Sequence, residues 1–350
     1  MQPRIAVLGA GGIGGSIGAY LLRAGHDVTL IDQWADHIEA IKRNGLMLTD
    51  LNQRFTVPAR ALHLSEVSNL REAFDVVFLS VKAYDTAWAT HLITPYLKPG
   101  GCILPAMNAL NDEMIAQIVG YARVVGCVPT ISAGVYDPGH VVRTDPITVH
   151  AFTVGELSGL VTPRVRWAVE ALSVIGHSEA TTNIWGARWS KMIWNCMGNA
   201  LAGLFSQAQL TSEQQETRGL ISVVIGREAA QVAQAQGVTL EAVNDVPLGD
   251  FARATTPEQV RTMKLRYDFA QGQRKLTAEQ IAWLGEDGNL FVQQAAQPPV
   301  QVTQSGQAAT PTFSADGRWL AYLDGGGLFS LDTTSGNASV EKLSAQAVNP

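Results

Sequence analysis

The chain has 350 residues, a net charge of −6 at pH 7 and a hydrophobic fraction of 46%. That length is enough for about two or three domains, each with its own buried core. Acidic and basic residues are interspersed without a long basic run, which argues against nucleic acid or an anionic membrane surface as the main partner. Three widely spaced cysteines match no metal-ligand pattern, so we expect neither a disulfide framework nor a metal site.

The N-terminus enters an apolar strand directly, without a basic segment followed by a long apolar stretch. No run of about 18 apolar residues occurs further along the chain. We therefore expect a cytoplasmic protein whose partner is a small molecule, with no nucleic-acid or membrane partner and with a homodimer as the candidate assembly.

Residues 4 to about 150 alternate short apolar runs with helical stretches, and the runs include "RIAVLG", "DVTLID" and "VVFLSVK". This alternation predicts βαβ units and a doubly wound, mostly parallel sheet, the α/β fold class. The segment 141–157, "VVRTDPITVHAFTVGEL", then alternates with a period of two, as a half-buried hairpin does. From about residue 183 the period becomes helical, which predicts an all-α segment with a last helix at roughly 257–275.

The first strand runs directly into the glycine-rich segment "VLGAGGIGGSIG". Its Gly-x-Gly-x-x-Gly spacing falls between a strand and a helix, the context of dinucleotide-binding loops. The backbone N–H groups of such a loop, and the helix N-terminus that follows, face the phosphates. We therefore predict a Rossmann-type domain that binds its cofactor through Gly9, Ala10, Gly11, Gly12, Ile13 and Gly14.

Asp32 ends the second predicted strand, about 20 residues after the glycines. A carboxylate at this place accepts hydrogen bonds from the adenosine ribose hydroxyls and repels a 2′-phosphate, which favours NADH over NADPH. Lys42 or Arg43 on the following helix would offset that repulsion. The alternative is that Asp32 caps this helix, and one residue can do both.

The segment "RWSKMIWNCMGNALAG" places Lys191, Asn195 and Asn199 four residues apart in turn, so all three project from one side of a helix. Most of the surrounding side chains are apolar. A lysine and two amides in such surroundings need polar partners, because burying them unpaired is costly. A cleft that holds a polar substrate would supply those partners, whereas a solvated helix face is the alternative.

The sequence resembles the ketopantoate reductase (2-dehydropantoate 2-reductase) family over about residues 3–240. The resemblance rests on four segments in order: "AVLGAGGIGG", "FLSVKAYDT", "LPAMNALND" and "WSKMIWNCMGNAL". It implies a Rossmann domain followed by an α-helical domain, with the active site in the cleft between them. It also implies the reduction of 2-dehydropantoate to (R)-pantoate by NADPH, a step towards pantothenate and coenzyme A.

The resemblance also assigns roles to single residues. Lys191 matches the family's general acid, which protonates the carbonyl oxygen as hydride arrives at carbon. Asn195 and Asn199 match amides that bind the substrate. Lys82 matches a lysine near cofactor and substrate, and Asn108 matches an asparagine near the nicotinamide, so both are candidates for contacting cofactor and substrate.

One departure from the family concerns the turn that carries Asn108. The family has Gln-Asn-Gly there, whereas this chain has Met107-Asn108-Ala109. A non-glycine residue is strained if its φ angle is positive. We therefore expect a strained loop if the turn keeps the family's geometry.

A second departure concerns a late helix, where the family carries Ser-Met-Leu-x-Asp-x-x-x-Gly-Arg-x-Thr-Glu with a serine and a glutamate that contact substrate. The corresponding segment of this chain is "TMKLRYDFAQGQRKLTAEQ". Asp268 and Gly272 keep the spacing, but Lys275 and Leu276 replace Thr-Glu and Glu279 is displaced. The substrate-contacting pair is therefore not found.

The sequence from about residue 277 onwards is typical of β-strands joined by turns. "IAWLGEDGNLFV" and "LAYLDGGGLFSL" share an order of strand, glycine turn and strand, and their first residues, Ile281 and Leu320, are 39 positions apart. This period is typical of β-propeller blades, although two unrelated hairpins are the alternative. We expect domain limits of 1–182 (Rossmann), 183–276 (α-helical, substrate) and 277–350 (blade-like β tail, incomplete, fused or replaced).

These features favour an NAD(P)H-dependent reductase of 2-dehydropantoate. Two alternatives remain open: an NADH-dependent reductase of another 2-oxo acid, and a nucleotide-binding but catalytically impaired protein whose tail serves interaction or is a fused fragment.

Overall fold

The computed structural model describes residues 2–145, 150–205, 210–243, 246–264, 267, 280–284, 287–294, 300–313, 319–324, 327–332 and 340–344. The chain divides into two compact units. The first contains Met1–Val243 with Pro247–Ala254, and the second contains Asn244–Val246 with Thr255–Pro350. The predicted limit between residues 182 and 183 falls inside the first unit and stays a prediction.

The elements up to residue 251 alternate strands and helices before two long helices follow. The strands are β1 (Arg4–Leu8), β2 (Asp27–Asp32), β3 (Leu46–Thr49), β4 (Arg54–Val57), β5 (Arg60–His63), β6 (Phe74–Leu79), β7 (Leu97–Pro105), β8 (Val125–Pro129), β9 (Ala133–Asp137), β10 (His140–Arg143), β11 (His150–Glu156), β12 (His177–Ala180), β13 (Ala242–Val243) and β14 (Val246–Pro247). The helices are α1 (Gly12–Arg23), α2 (Ala35–Asn44), α3 (Thr86–Ile93), α4 (Asp112–Val119), α5 (Pro163–Leu172), α6 (Ile184–Phe205), α7 (Ser212–Ala235) and α8 (Leu248–Phe251).

Five parallel strands form the central sheet, in the order β5-β2-β1-β6-β7. Their near-continuous apolar runs suit a sheet that is covered on both faces. Within β1, Ile5 and Val7 face one apolar core whereas Ala6 and Leu8 face the other. The predicted doubly wound parallel sheet is therefore confirmed, and it brings the carboxyl ends of β1, β2, β6 and β7 to one edge.

The segment at 141–157 forms strands as its period predicts, but the predicted hairpin is wrong. β10 pairs with β3 and β9, whereas β11 pairs with β8 and β12 in another sheet. A period of two reports which face of a strand is buried and carries no information about the neighbouring strand. The pairing here is set by the tertiary fold.

The predicted helical segment is confirmed as two long helices, α6 and α7, of 22 and 24 residues. Thr211 caps α7 through a reciprocal arrangement: its hydroxyl accepts from the Gln214 N–H, and the Gln214 side chain accepts from the Thr211 N–H. Such caps satisfy N–H groups that a helix start leaves unpaired. Asn183 does the same at the start of α6, where its Oδ1 accepts from the Gly186 N–H at 3.1 Å.

The second unit contains a helix at 257–264 and a β-rich tail, as predicted. Its two antiparallel sheets comprise β15 (Gln280–Leu284), β16 (Leu290–Gln294) and β17 (Val300–Gln301), then β18 (Ala309–Phe313), β19 (Trp319–Asp324), β20 (Gly327–Asp332) and β21 (Val340–Ser344). Both predicted hairpins occur, as β15–β16 and β19–β20. Their interpretation as propeller blades stays a prediction.

Asp268, Gly272, Lys275, Leu276 and Glu279, on which the comparison with the family's late helix rests, lie outside the described residues. The predicted helix over 257–275 is described only as far as residue 264. Within the described part of the chain, no helix is long and apolar enough to cross a membrane.

Candidate functional site

The glycine-rich loop joins β1 to α1 in the manner that the motif predicts. Gly9 has a φ angle of +96°, and a Cβ atom there would lie 2.7 Å from the backbone of Ser80. A Cβ on Gly14 would lie 1.9 Å from the Gly9 carbonyl oxygen. At Gly11, by contrast, a Cβ would meet nothing within 4 Å. Two of the glycines are therefore required for close packing, whereas Gly11 leaves open space before the helix N-terminus, where a phosphate would approach.

Asp32 bonds to the residue that precedes α2 and also reaches back to this loop; α2 has Trp34 at its N-cap and no side-chain cap, so the alternative that Asp32 caps this helix is wrong. Its Oδ1 accepts from the Trp34 N–H at 2.8 Å, just before α2 begins. Its Oδ2 accepts from the Ala10 N–H at 2.7 Å. Each carboxylate oxygen has a second lone pair. These two backbone bonds therefore do not exclude the predicted contact with a ribose hydroxyl.

The helix predicted to carry Lys191, Asn195 and Asn199 on one side is α6. Its side chains contact the loop that follows β7. Lys191 Nζ donates to Asn195 Oδ1 at 2.9 Å, one helical turn away. Asn195 Nδ2 in turn donates to Asn108 Oδ1 at 3.0 Å. The structure therefore brings three predicted site residues into one hydrogen-bonded chain, which we call the polar chain: Lys191, Asn195 and Asn108. Their roles in catalysis stay predictions.

Two predicted substrate residues lie outside the polar chain. Asn199 lies two turns beyond Lys191, about 12 Å along the helix axis. Its side chain is exposed and has no hydrogen-bond partner among the described residues. Lys82 is also exposed and precedes the short 3₁₀ helix Ala83–Asp85, beyond the carboxyl end of β6. The contribution of both residues stays a prediction.

The loop that carries Asn108 is strained as the altered turn suggests. Ala109 has a φ angle of 74°, and it is the one non-glycine residue with positive φ in the described part of the chain. Asn111 Nδ2 donates to the Asn108 carbonyl oxygen at 2.8 Å and closes the turn. A left-handed conformation costs an alanine roughly 1–2 kcal/mol. Asn108 is therefore presented by a turn whose geometry favours glycine.

We expect the substitution Ala109→Gly to stabilise the protein by about 0.5–1 kcal/mol, since the relief of strain exceeds the added backbone entropy of the unfolded chain. Chemical denaturation would measure the change in the free energy of unfolding. The matched control is Ala87→Gly on the exposed face of α3, which should destabilise by about 1 kcal/mol. Equal losses in both variants would show that the turn is not strained.

Arg188, which sequence reasoning missed, holds both ends of this loop from α6. Its side chain is 3% exposed. Nη1 donates to the Met107 carbonyl oxygen at 2.8 Å, and Nη2 donates to the Pro105 carbonyl oxygen at 3.1 Å. The guanidinium also forms an ion pair with Asp112 at the start of α4, where Nε lies 2.9 Å from Oδ2. Asn108 is thus fixed to α6 through its side chain and through the backbone around it.

His37 is a second residue that sequence reasoning missed. Its ring is buried and lies between the glycine-rich loop and the turn before β10, with contacts to Ala10 and Gly139. The sequence offers the same indication for Arg188 and His37. A charged or titratable side chain among apolar neighbours in an amphipathic helix requires a buried partner. The identity of that partner depends on the tertiary fold.

Comparison with known proteins agrees with this architecture. A sequence model of the family "Ketopantoate reductase PanE/ApbA" matches residues 5–159, and the model of its C-terminal part matches residues 183–282. The second match extends beyond residue 240, the limit that the resemblance predicts. Together the two matches cover well over half of the chain.

Individual relatives are distant. The chain is 27% identical to a 2-dehydropantoate 2-reductase of Nostoc sp. over 205 residues, which cover 57% of this chain and 63% of that protein, less than two thirds of its length. It is 27% identical to a 2-dehydropantoate 2-reductase of Archaeoglobus fulgidus over 246 residues, covering 69% and 78%.

A solved structure supports the fold. The ternary structure of D-mandelate dehydrogenase with NADH and anilino(oxo)acetate superposes with a TM-score of 0.61 at 23% identity, covering 76% of this chain and 80% of that one. At this identity the likeness concerns the fold alone. The two family matches carry the assignment, and they agree with the glycine-rich loop and the polar chain: the protein belongs to the ketopantoate reductase family.

Proposed function

We propose that the protein reduces a 2-oxo acid with NADH or NADPH, and that 2-dehydropantoate is the substrate and (R)-pantoate the product. The observation that carries this proposal is the polar chain. It joins Lys191 and Asn195 on α6 to Asn108, directly beyond β7 of the nucleotide-binding sheet. The polar chain therefore connects Lys191 to the carboxyl edge of the sheet, from which the nucleotide loop also begins.

The residues of the polar chain suit carbonyl reduction. As the carbonyl carbon accepts a hydride, negative charge develops on its oxygen. The Lys191 ammonium stabilises that charge and delivers a proton to the oxygen. Asn195 accepts from Lys191 and so orients the ammonium, whereas Asn108 fixes Asn195 from the opposite side. Preorganised donors of this kind are effective because they need no reorientation during the reaction.

A dinucleotide fits the first unit. The loop offers open space at Gly11 and a helix N-terminus without a side-chain cap at Gly12. Beside the loop, Ser80 Oγ is buried without a hydrogen-bond partner among the described residues. Gly9 to Gly14 would hold the pyrophosphate, Asp32 would hold the adenosine ribose, and the nicotinamide would supply the hydride.

We infer that NADH is preferred over NADPH, although the family resemblance implies NADPH. Asp32 is fixed by two backbone N–H groups and holds a negative charge at the end of β2. A 2′-phosphate carries close to two negative charges. At about 4 Å in water each pair of unit charges repels by about 1 kcal/mol, so the phosphate as a whole is repelled by about 1.5–2 kcal/mol, roughly 10- to 30-fold in affinity.

We therefore expect Asp32→Asn to raise the ratio of kcat/KM for NADPH to kcat/KM for NADH by roughly 10-fold or more. Steady-state assays with each cofactor at constant ionic strength would measure the ratio. Asp27→Asn, at the opposite end of the same strand, is the control and should leave it unchanged. An unaltered ratio in Asp32→Asn would remove Asp32 from the cofactor assignment.

A second candidate is an NADH-dependent reductase of another branched 2-oxo acid. The fixed Asp32 favours it, and so does the similar fold of a D-mandelate dehydrogenase that binds NADH. Assays with 2-dehydropantoate and 3-methyl-2-oxobutanoate would separate the two. A higher kcat/KM for 2-dehydropantoate supports the first proposal, and the reverse order supports the second.

A catalytically impaired nucleotide-binding protein is the remaining alternative, since the family's late Ser and Glu are not found in the sequence. Nucleotide binding without turnover of either substrate would establish it. The domain limits at 182/183 and 276/277, a homodimer and a cytoplasmic location are part of the proposal as expectations from the sequence.

A further inference from the structure

The Ala10 backbone is held on both sides at the centre of the glycine-rich loop. Its N–H donates to Asp32 Oδ2 at 2.7 Å. Its carbonyl oxygen lies 3.0 Å from His37 Nε2. Both partners come from β2 and α2, so the conformation of the loop depends on side chains outside the glycine motif.

The hydrogen bond at the second ring nitrogen of His37 fixes the tautomer of the neutral imidazole. The Gly139 N–H donates to His37 Nδ1 at 2.9 Å. A nitrogen that accepts a hydrogen bond carries no proton, so in the neutral ring the proton is on Nε2. Nε2–H therefore donates to the Ala10 carbonyl oxygen. The neutral ring bridges the loop to the turn before β10.

The hairpin that contains Gly139 also touches the glycine-rich loop, at the start of β9. Gly139 connects β9 to β10, and β9 begins at Ala133. A Cβ atom on Gly12 would lie 2.2 Å from the Ala133 carbonyl oxygen, so the backbones are in close contact. The backbone of this hairpin therefore packs against the start of α1, where the pyrophosphate is expected.

The surroundings of the ring keep it neutral near physiological pH. His37 is 1% exposed, and the Trp34 indole stacks on it with ring centroids 5.4 Å apart. Burial lowers the pKa of His37 below its usual value of 6.5, and it outweighs the Ala10 carbonyl and the Asp32 carboxylate, which act in the opposite direction. Asp32 is the charged side chain that acts on the ring among the described residues. The ring therefore takes up a proton only as the pH falls below about 6.5.

We propose that His37 is a positioning residue for the dinucleotide, which makes nucleotide affinity depend on pH through the bridge between Ala10 and Gly139. The proposal rests on the proposed nucleotide site. In the neutral state the ring holds the loop in the conformation that receives the pyrophosphate. In the protonated state Nδ1–H faces the Gly139 N–H, two donors oppose each other, and the bridge is lost.

The direction of the effect follows from linkage. The nucleotide binds the form with a neutral ring, so proton uptake competes with binding. Affinity is then constant above pH 6.5 and weakens at lower pH, by at most about tenfold per pH unit because one proton is involved. Binding in turn lowers the pKa of the ring further.

The test is calorimetric titration of the full chain with NADH and with NADPH between about pH 8 and pH 5.5, with circular dichroism to confirm folding at each pH. The variants His37→Gln and His37→Asn remove the titration. A glutamine amide reaches the Nε2 position and can still donate to the Ala10 carbonyl oxygen, whereas an asparagine reaches the Nδ1 position and can accept from Gly139. His150→Gln, at a partly exposed histidine whose pKa is also lowered, is the control.

We expect the wild type and His150→Gln to lose affinity equally towards acid pH, and both His37 variants to show affinity independent of pH. At pH 8, His37→Asn should bind roughly 2- to 10-fold more weakly than wild type because the bond to Ala10 is lost, with His37→Gln in between. If both His37 variants still lose nucleotide affinity as the pH falls, the proposal is overturned. It is also overturned if His37→Gln binds the nucleotide more weakly at pH 8 than His37→Asn does.

If the variants do not fold, NMR titration of the wild-type ring replaces them: a pKa of His37 that falls on addition of NADH supports the proposal, and an unchanged pKa overturns it. Binding at pH 8 with no pH dependence overturns the role of His37 alone. No binding of either dinucleotide at pH 8 overturns both that role and the proposed function.

Discussion

Replacing Lys191 with alanine is expected to lower kcat for 2-oxo acid reduction by roughly 10²- to 10⁴-fold, the usual contribution of a positioned general acid. The affinity for the nucleotide should change little, because Lys191 bonds to Asn195 on α6 and is not among the residues assigned to the nucleotide loop. Steady-state kinetics would give kcat, and calorimetry would give the Kd for NADH. The two measurements separate loss of chemistry from loss of binding.

Two further lysine variants sharpen this result. Lys191→Arg keeps the positive charge but gives up a proton far less readily, since the guanidinium pKa exceeds about 12. It should therefore recover charge stabilisation and only part of the rate. Lys98→Ala, which removes a partly exposed lysine paired with Asp75, should leave kcat unaltered. A kcat for Lys191→Ala within about threefold of wild type would contradict the assignment of Lys191 as general acid.

Arg188→Met is expected to cost roughly 3–5 kcal/mol of stability, because it leaves the Asp112 carboxylate buried without its partner. Both side chains are almost fully buried, at 3% and 2% exposure. The substitution also removes the bonds to the Pro105 and Met107 carbonyl oxygens that hold the Asn108 loop. Chemical denaturation followed by tryptophan fluorescence would measure the loss.

A double-mutant cycle isolates the ion pair. Arg188→Met combined with Asp112→Leu removes both charges, so it should be less destabilised than the sum of the two single variants. Arg188→Lys provides a milder variant if Arg188→Met does not fold. A loss below about 1 kcal/mol in Arg188→Met would show that the pair is not a buried anchor of the loop.

Local sequence patterns were sufficient for much of the fold. The glycine spacing and the apolar runs report on single strands and on their immediate connections, and these are the parts of the structure that agree with the prediction. The strands β10 and β11 show the limit of such patterns, because both strands were predicted correctly but their predicted pairing with each other is wrong. Strand pairing depends on contacts between residues distant in sequence.

In the candidate site, too, local patterns predict some residues, whereas others depend on contacts that are distant in sequence. The helical spacing of Lys191 and Asn195 placed both on one face, and the lost glycine at Ala109 anticipated a positive φ angle. Arg188 and His37 were not anticipated, because their partners lie 76 and 102 residues away in the sequence, at Asp112 and Gly139. A single sequence does not show which buried groups meet over such distances.

The most direct test of the proposed function follows the hydride itself. NADH and NADPH deuterated at carbon 4 of the nicotinamide would be incubated in turn with 2-dehydropantoate and the full chain, and the product would be examined by mass spectrometry and NMR. We predict pantoate with one deuterium at carbon 2, formed by the wild type and at a greatly reduced rate by Lys191→Ala. Product without deuterium at carbon 2, or no product with either cofactor, would contradict the proposal that this protein is a 2-dehydropantoate reductase.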